Sequence, residues 1–202
     1  VDEQAIDPRS DDQLIKNVAE GDALAFVALF QRRRRELYRF ALHMTGRPAT
    51  AEDVTQDVFL TVMHEAARFD ASRGSAVAWL CGITRNLVRR RLERERFLHP
   101  LPEDEGDAPS MVTSDPVGDL ARAERVERLR RAVTSLPVHY REVVLLCDLQ
   151  ELSYVDAASA LGCAVGTVRS RLHRGRALLA EKLRDIEAGD RTMKVRSTRC
   201  FA

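Results

Sequence analysis

Apolar residues recur at steps of three and four along most of the chain. Leu24, Val27, Phe30, Leu37, Phe40, Ala41 and Met44 fall on one helical face, with Asp11 and Asp22 placed as N-caps. Gly46-Arg47-Pro48 breaks that pattern. Thr50 and Asp53, three apart, open the next helix like a capping box, with an acid where Glu or Gln is more usual. Val54, Val58, Phe59 and Val62, with Leu60 or Thr61, form its apolar side. Residues 68–75 read as a polar loop. Ser75 then caps a helix bearing Val77, Leu80, Ile83 and Leu87, with Trp79 as core support.

A second helical block follows. Val126, Leu129, Val133 and Leu136 keep helical spacing, and Pro137 suits the first position of a new helix, whose apolar side is Val143, Val144 and Cys147. Ser153 and Asp156 cap a short helix carrying Ala157, Ala158 and Leu161. Gly162 supplies a left-handed end, and a further helix is expected from about Val165 to Arg184.

Composition adds the division between the blocks. The 202 residues are 45% hydrophobic, 31% charged and 5% aromatic, which suits an all-α soluble chain rather than an all-β one. The net charge of +1 hides segregation. Leu101 to Asp119 hold six acids (Glu103, Asp104, Glu105, Asp107, Asp115, Asp119) and no Lys or Arg, and Pro100, Pro102, Pro109 and Pro116 lie in or beside them. The expected architecture is two small helical domains, 11–97 and 120–184, joined by a flexible acidic linker, 98–119, and followed by a tail, 185–202. Arg32 to Arg35 read as solvated surface.

Several functions are set aside. There is no phosphate-binding Gly-rich loop, no Gly-x-Ser-x-Gly and no His-Glu-x-x-His, so no enzyme is expected. Cys81, Cys147, Cys163 and Cys200 lack Cys-x-x-Cys spacing, so neither a metal site nor any cofactor is expected. The first three read as small buried residues, and Cys200 sits in the tail. No run of about 18 apolar residues offers a membrane span. With no apolar N-terminal segment either, the expected compartment is the cytoplasm.

The most informative stretch is 153–184, a small-residue helix, a Gly turn and a polar-basic helix. Val165, Val168 and Leu172 point inward, while Thr167, Ser170, Arg171 and Arg174 share the opposite face. Short polar residues followed by arginines on one helical face suit base edges in a major groove. Arg169, His173, Arg176 and Lys182 flank that face and suit phosphates. Six bases against one acid, Glu181, complete a nucleic-acid footprint over 165–184. The helix 76–98 is also basic through Arg85, Arg89, Arg90, Arg91, Arg94 and Arg96.

Residues 164–176 resemble the promoter-reading helix of bacterial sigma factors of the extracytoplasmic-function group. Residues 136–144 resemble the lead-in helix of the same domain, sigma domain 4. Ala51 to Phe59 resemble the polymerase-binding helix of sigma domain 2. Phe69, Arg73 to Ser75, Ala78 to Leu80 and Arg85 to Leu87 resemble the following loop and DNA-melting helix. The resemblance implies that Asp53, Gln56 and Asp57 meet the core polymerase. It implies that Phe69, Arg73, Ser75, Trp79, Arg85, Asn86, Arg89 and Arg90 engage the −10 element. Thr167, Arg169, Ser170, Arg171, His173, Arg174 and Arg176 are implied at the −35 element. Val77 and Cys81 depart from it, standing where members often carry aromatics. An anti-sigma partner, a role in stress-responsive transcription, and a linker threading toward the polymerase's RNA path are implied as well. A one-component regulator with a ligand-sensing first domain is the alternative, but it would not need residues 51–86 in this form.

Overall fold

The computed structural model describes the backbone of residues 7–98 and 118–199 and the side chains of 7–95 and 124–186. Most of the acidic linker, and Cys200, lie outside the described residues. Eight α-helices and no strand are described: α1 (Asp11–Ala19), α2 (Ala23–Thr45), α3 (Pro48–Glu65), α4 (Ala76–Leu98), α5 (Gly118–Thr134), α6 (Val138–Val144), α7 (Tyr154–Leu161) and α8 (Val165–Arg199). A 3₁₀ turn, 66–68, follows α3, and a π turn, 145–149, extends α6.

The first cluster packs α1, α3 and α4 against α2. Leu29, Leu37, Phe40, Met44, Val54, Val58, Val62, Leu80 and Val88 are buried at its centre. The cap of α1 is Ser10, not Asp11: Ser10 Oγ accepts from Gln13 N–H at 3.2 Å, and the Gln13 side chain accepts from Ser10 N–H at 3.0 Å. Asp11 is instead buried beneath Arg32 (2.7 Å) and Arg33. Arg32 also donates to the carbonyls of Asp7 (2.6 Å) and Arg9 (2.9 Å). Half of the Arg32–Arg35 run therefore ties α1 to α2 rather than facing solvent, because burying the Asp11 carboxylate demands paired cations. Asp22 caps α2 as expected, accepting from Leu24 and Ala25 N–H at 2.8 and 3.0 Å.

Two apolar positions of α2 depart from expectation. Leu24 and Val27 are 76% and 47% exposed, since Ala25 and Leu29 take the inward positions of the first turns of α2. Helix α3 starts at Pro48 rather than at Thr50, with no side-chain cap. Proline's fixed φ and missing N–H fit the first helical position without one.

The second cluster packs α5, α6 and α7 against α8. Ala132, Val133, Leu136, Val143, Leu146, Ala157, Leu161, Val168 and Leu172 form its interior, whereas Val126 and Leu129 are largely exposed. Gly162 ends α7 at φ 64°, the left-handed conformation its sequence position implied. Helix α8 does not stop near Arg184 but continues through Gly189 to Arg199, with no proline to end it.

The clusters also meet each other. Helix α7 lies on α4, with Gly82 against Ala160, and the buried apolar residues of both clusters are contiguous. Arg141 of α6 donates to the Met44 carbonyl at 2.5 Å, closing the C-terminal end of α2, and to the carbonyls of Leu136 (3.0 Å) and Thr134. Burial pushes the Arg141 guanidinium down to about 10.

Candidate nucleic-acid interface

Helix α3 buries Val54, Val58 and Val62 and thereby turns Asp53, Gln56 and Asp57 outward at i, i+3 and i+4. Leu60, at i+7, extends the same stripe and is 54% exposed. The apolar pattern admits Leu60 or Thr61 on the inner side; Leu60, one turn beyond Asp57, belongs to the outer face, while Thr61 is half-buried. Arg91 of α4 bridges the acids, donating to Asp53 at 2.8 Å and Asp57 at 2.9 Å.

The loop before α4 is built from its own polar residues. Asp70 Oδ1 accepts from Ser72 N–H (2.9 Å) and Ser72 Oγ (2.7 Å), and Arg73 N–H donates to the Asp70 carbonyl at 3.0 Å. These bonds from Ser72 hold the Asp70 carboxyl below its ordinary pKa. Ser75 Oγ caps α4, accepting from Ala78 N–H at 3.3 Å, as expected. Phe69 and Trp79 pair with ring centroids 5.5 Å apart, and both are half-buried against the core. Cys81 is fully buried, and burial, reinforced by Glu36, pushes its thiol up to about 12. Trp79 and Cys81 thus support the core.

The same loop is held by α7. Asp156 Oδ1 accepts from Ser75 N–H at 3.0 Å, and Ser159 Oγ donates to the Arg73 carbonyl at 2.8 Å. Burial raises the Asp156 pKa, but the bonds from Ser75 and Ser153 outweigh it and the net shift is downward. Gly74 (φ 155°) packs where a Cβ would stand 3.0 Å from Ser159 Oγ. Arg85 turns toward α6, its Nε 2.9 Å from Glu142 Oε1, while Asn86, Arg89 and Arg90 are exposed along α4. The structure therefore gathers Arg73, Ser75 and Arg85 at the contact between clusters and leaves Asn86, Arg89 and Arg90 on the open face.

On α8, Val168 and Leu172 are buried, as expected. Arg169, Ser170, His173, Arg174 and Arg176 are exposed, and Thr167 and Arg171 half-buried. Arg169 sits over the Tyr154 ring at 5.8 Å. Arg176 pairs with Asp148 through two contacts, 2.5 and 3.1 Å, which raise its pKa. Arg171 and Arg174 have no ion pair among the described residues. The helix thus presents free guanidinium groups beside short hydroxyls, the chemistry that reads base edges and phosphates. Among the described residues no group of three His, Cys, Asp or Glu could hold a metal ion, and no helix is long and apolar enough to cross a membrane.

Known proteins share these two clusters. A family profile described as "Sigma-70 region 2" matches residues 29–97, and one described as "Sigma-70, region 4" matches 126–179. The chain is 37% identical over 184 residues to the "ECF RNA polymerase sigma factor SigM" of Mycobacterium tuberculosis, covering 90% of this chain and 88% of that protein. It is 37% identical over 172 residues to the "ECF RNA polymerase sigma factor SigE" of Mycolicibacterium smegmatis, covering 82% of this chain but 65% of that protein. Among solved structures, CnrH in complex with the cytosolic domain of CnrY superposes with a TM-score of 0.63 at 28% identity, covering 87% of this chain and 97% of CnrH. The sigma factor RpoE of Bartonella quintana, in complex with the anti-sigma factor NepR, gives 0.62 at 26% identity, covering 77% of this chain and 94% of that one.

Proposed function

Because the chain belongs to the extracytoplasmic-function (ECF) sigma factors of bacterial RNA polymerase, we propose that its three polar faces divide the work of promoter recognition. As a sigma factor it is a non-catalytic transcription protein that binds core RNA polymerase and promoter DNA. Asp53, Gln56 and Asp57 on α3 dock the polymerase; carboxylates and an amide on one helical turn complement a basic partner helix. Asn86, Arg89 and Arg90 on α4, with the loop 68–75, hold the −10 strand, a cationic track beside the Phe69–Trp79 pair. Thr167, Ser170, Arg171 and Arg174 on α8 read the −35 element, and Arg169, His173 and Arg176 contact its phosphates.

The observation that carries this reading is that the half-buried Arg171 and the exposed Arg174 make no ion pair among the described residues, on a helix whose Val168 and Leu172 are buried. Arg85 joins the −10 track only when it leaves Glu142, and the backbone of 73–75 becomes available only when α7 departs. Promoter engagement therefore requires the two clusters to separate. The domain limits 11–97, 98–119, 120–184 and 185–202 belong to this reading, as does a cytoplasmic location. An anti-sigma partner, of the kind NepR is to RpoE, belongs to this reading as well.

The test is run-off transcription with purified core polymerase on genomic fragments. The chain is expected to confer new start sites, and Arg171→Ala to abolish most of them. Start sites that are the same with and without the chain would refute the proposal.

A further inference from the structure

Arg91 stands between two faces assigned to different partners. Its Nη1 donates to Asp53 Oδ2 at 2.8 Å and its Nη2 to Asp57 Oδ2 at 2.9 Å, so one planar guanidinium spans two carboxylates one helical turn apart. These bonds, the one to Asp57 foremost, raise the Arg91 pKa. The contact is not sealed: the side chains of Arg91, Asp53 and Asp57 are 31%, 59% and 42% exposed. An ion pair this hydrated is worth little, so a competing cation can take it apart.

Arg91 also belongs to the basic run of α4, next to the exposed Arg89 and Arg90. A basic helix arriving at Asp53 and Asp57 meets carboxylates already half neutralised. Arg91, once displaced, returns to the cationic face that the promoter strand follows. The two events share one residue and have opposite requirements for it.

We propose that Arg91 is a positioning residue with two alternating partners, holding Asp53 and Asp57 in the free chain and passing to promoter phosphates when a basic polymerase helix takes those acids. This rests on the reading of α3 as the polymerase face and adds to it a coupling between docking and DNA binding. The coupling makes DNA binding by this face depend on docking by the other.

Two measurements on the full chain test it. The first is affinity for core polymerase, by anisotropy of the labelled chain. The second is the salt dependence of promoter binding by the assembled holoenzyme. Arg91→Ala is expected to bind core about 3-fold more tightly, the worth of an exposed competing pair. Its promoter binding is expected to weaken, with a log–log salt slope shallower by about one. Arg91→Lys, which keeps the charge without the fork, is expected to retain the parent slope. Asp53→Asn/Asp57→Asn is expected to weaken core binding by about 10-fold or more.

Opposite signs in the two Arg91→Ala measurements separate partner exchange from a structural role, which would weaken both. If the acid variants weaken core binding but Arg91→Ala does not strengthen it, or leaves the salt slope unchanged, the exchange is overturned and the polymerase face stands. If the acid variants bind core like the parent, the polymerase face falls and the exchange with it.

Discussion

Glu142 of α6 and Arg85 of α4 form a charge pair at 2.9 Å from which water is nearly excluded, the two side chains being 3% and 13% exposed. The pair crosses from one helical cluster to the other. Removing one member leaves the other's charge buried without a counter-charge, which costs more than the pair itself contributes. Glu142→Ala is therefore expected to destabilise the contact by about 3 kcal/mol. In urea denaturation the loss reads as a lower midpoint, and in small-angle scattering as a larger radius of gyration. Arg85→Met/Glu142→Leu, with no charge left to strand, is expected within about 1 kcal/mol of the parent.

His43 carries an acid-side prediction. Burial, with Arg130 and Arg39 nearby, pushes its imidazole down to about 4, and its buried Nδ1 has no hydrogen-bond partner among the described residues. The folded chain thus resists a proton that the unfolded chain accepts at its ordinary pKa of 6.5. Stability from this group is present above about pH 6.5 and is lost as the pH falls toward 4, by roughly 3 kcal/mol. His43→Asn is expected to flatten that part of the stability curve between pH 7 and 4. A curve with unchanged slope would show that the loss arises elsewhere.

The elements were legible wherever a local rule decided them. Gly162 had to be left-handed for α7 to turn into α8, and Val168 and Leu172 had to face inward once that turn was fixed. Boundaries were less legible, because Ser10 and Asp11 both cap well and only the approach of Arg32 and Arg33 decides between them. Arg85 shows the same limit at the site. Its place in a basic run suggests a DNA contact, yet its partner lies 57 residues away in sequence, on α6. Long-range ion pairs leave no periodic signature, so neither Arg85–Glu142 nor Arg91 with its two acids follows from spacing.

Gly175 marks where α8 crosses α6. A Cβ there would lie 2.9 Å from Val144 Cγ2 and 3.4 Å from the Tyr140 carbonyl oxygen. Gly175→Leu gains helix propensity of about 0.8 kcal/mol but inserts four carbons into a filled space. The net expected change is a loss of about 1–2 kcal/mol, seen as a lower thermal midpoint. Gly175→Ala, smaller by three carbons, is expected to change stability by less than about 1 kcal/mol, since the propensity gain offsets the crowding.

Arg171 and Arg169 are neighbours on α8 with different surroundings, and this separates their expected roles at the −35 element. Arg171 is half-buried, one turn from Thr167 and flanking the buried stripe of Val168 and Leu172, with no ion pair among the described residues. Arg169 is exposed and lies over the Tyr154 ring, at the edge of that face. A guanidinium aimed at a base edge discriminates among bases, whereas one on a phosphate weakens all sequences alike when removed. Arg171→Ala is expected to cost about 1–3 kcal/mol on the preferred promoter and much less on one altered at the base it reads. Arg169→Ala is expected to weaken both promoters by the same factor and to make the salt slope shallower by about one. Competition binding of the holoenzyme to a set of single-base promoter variants, at two salt concentrations, measures both quantities. Equal losses across that set for Arg171→Ala would reassign it to the phosphates.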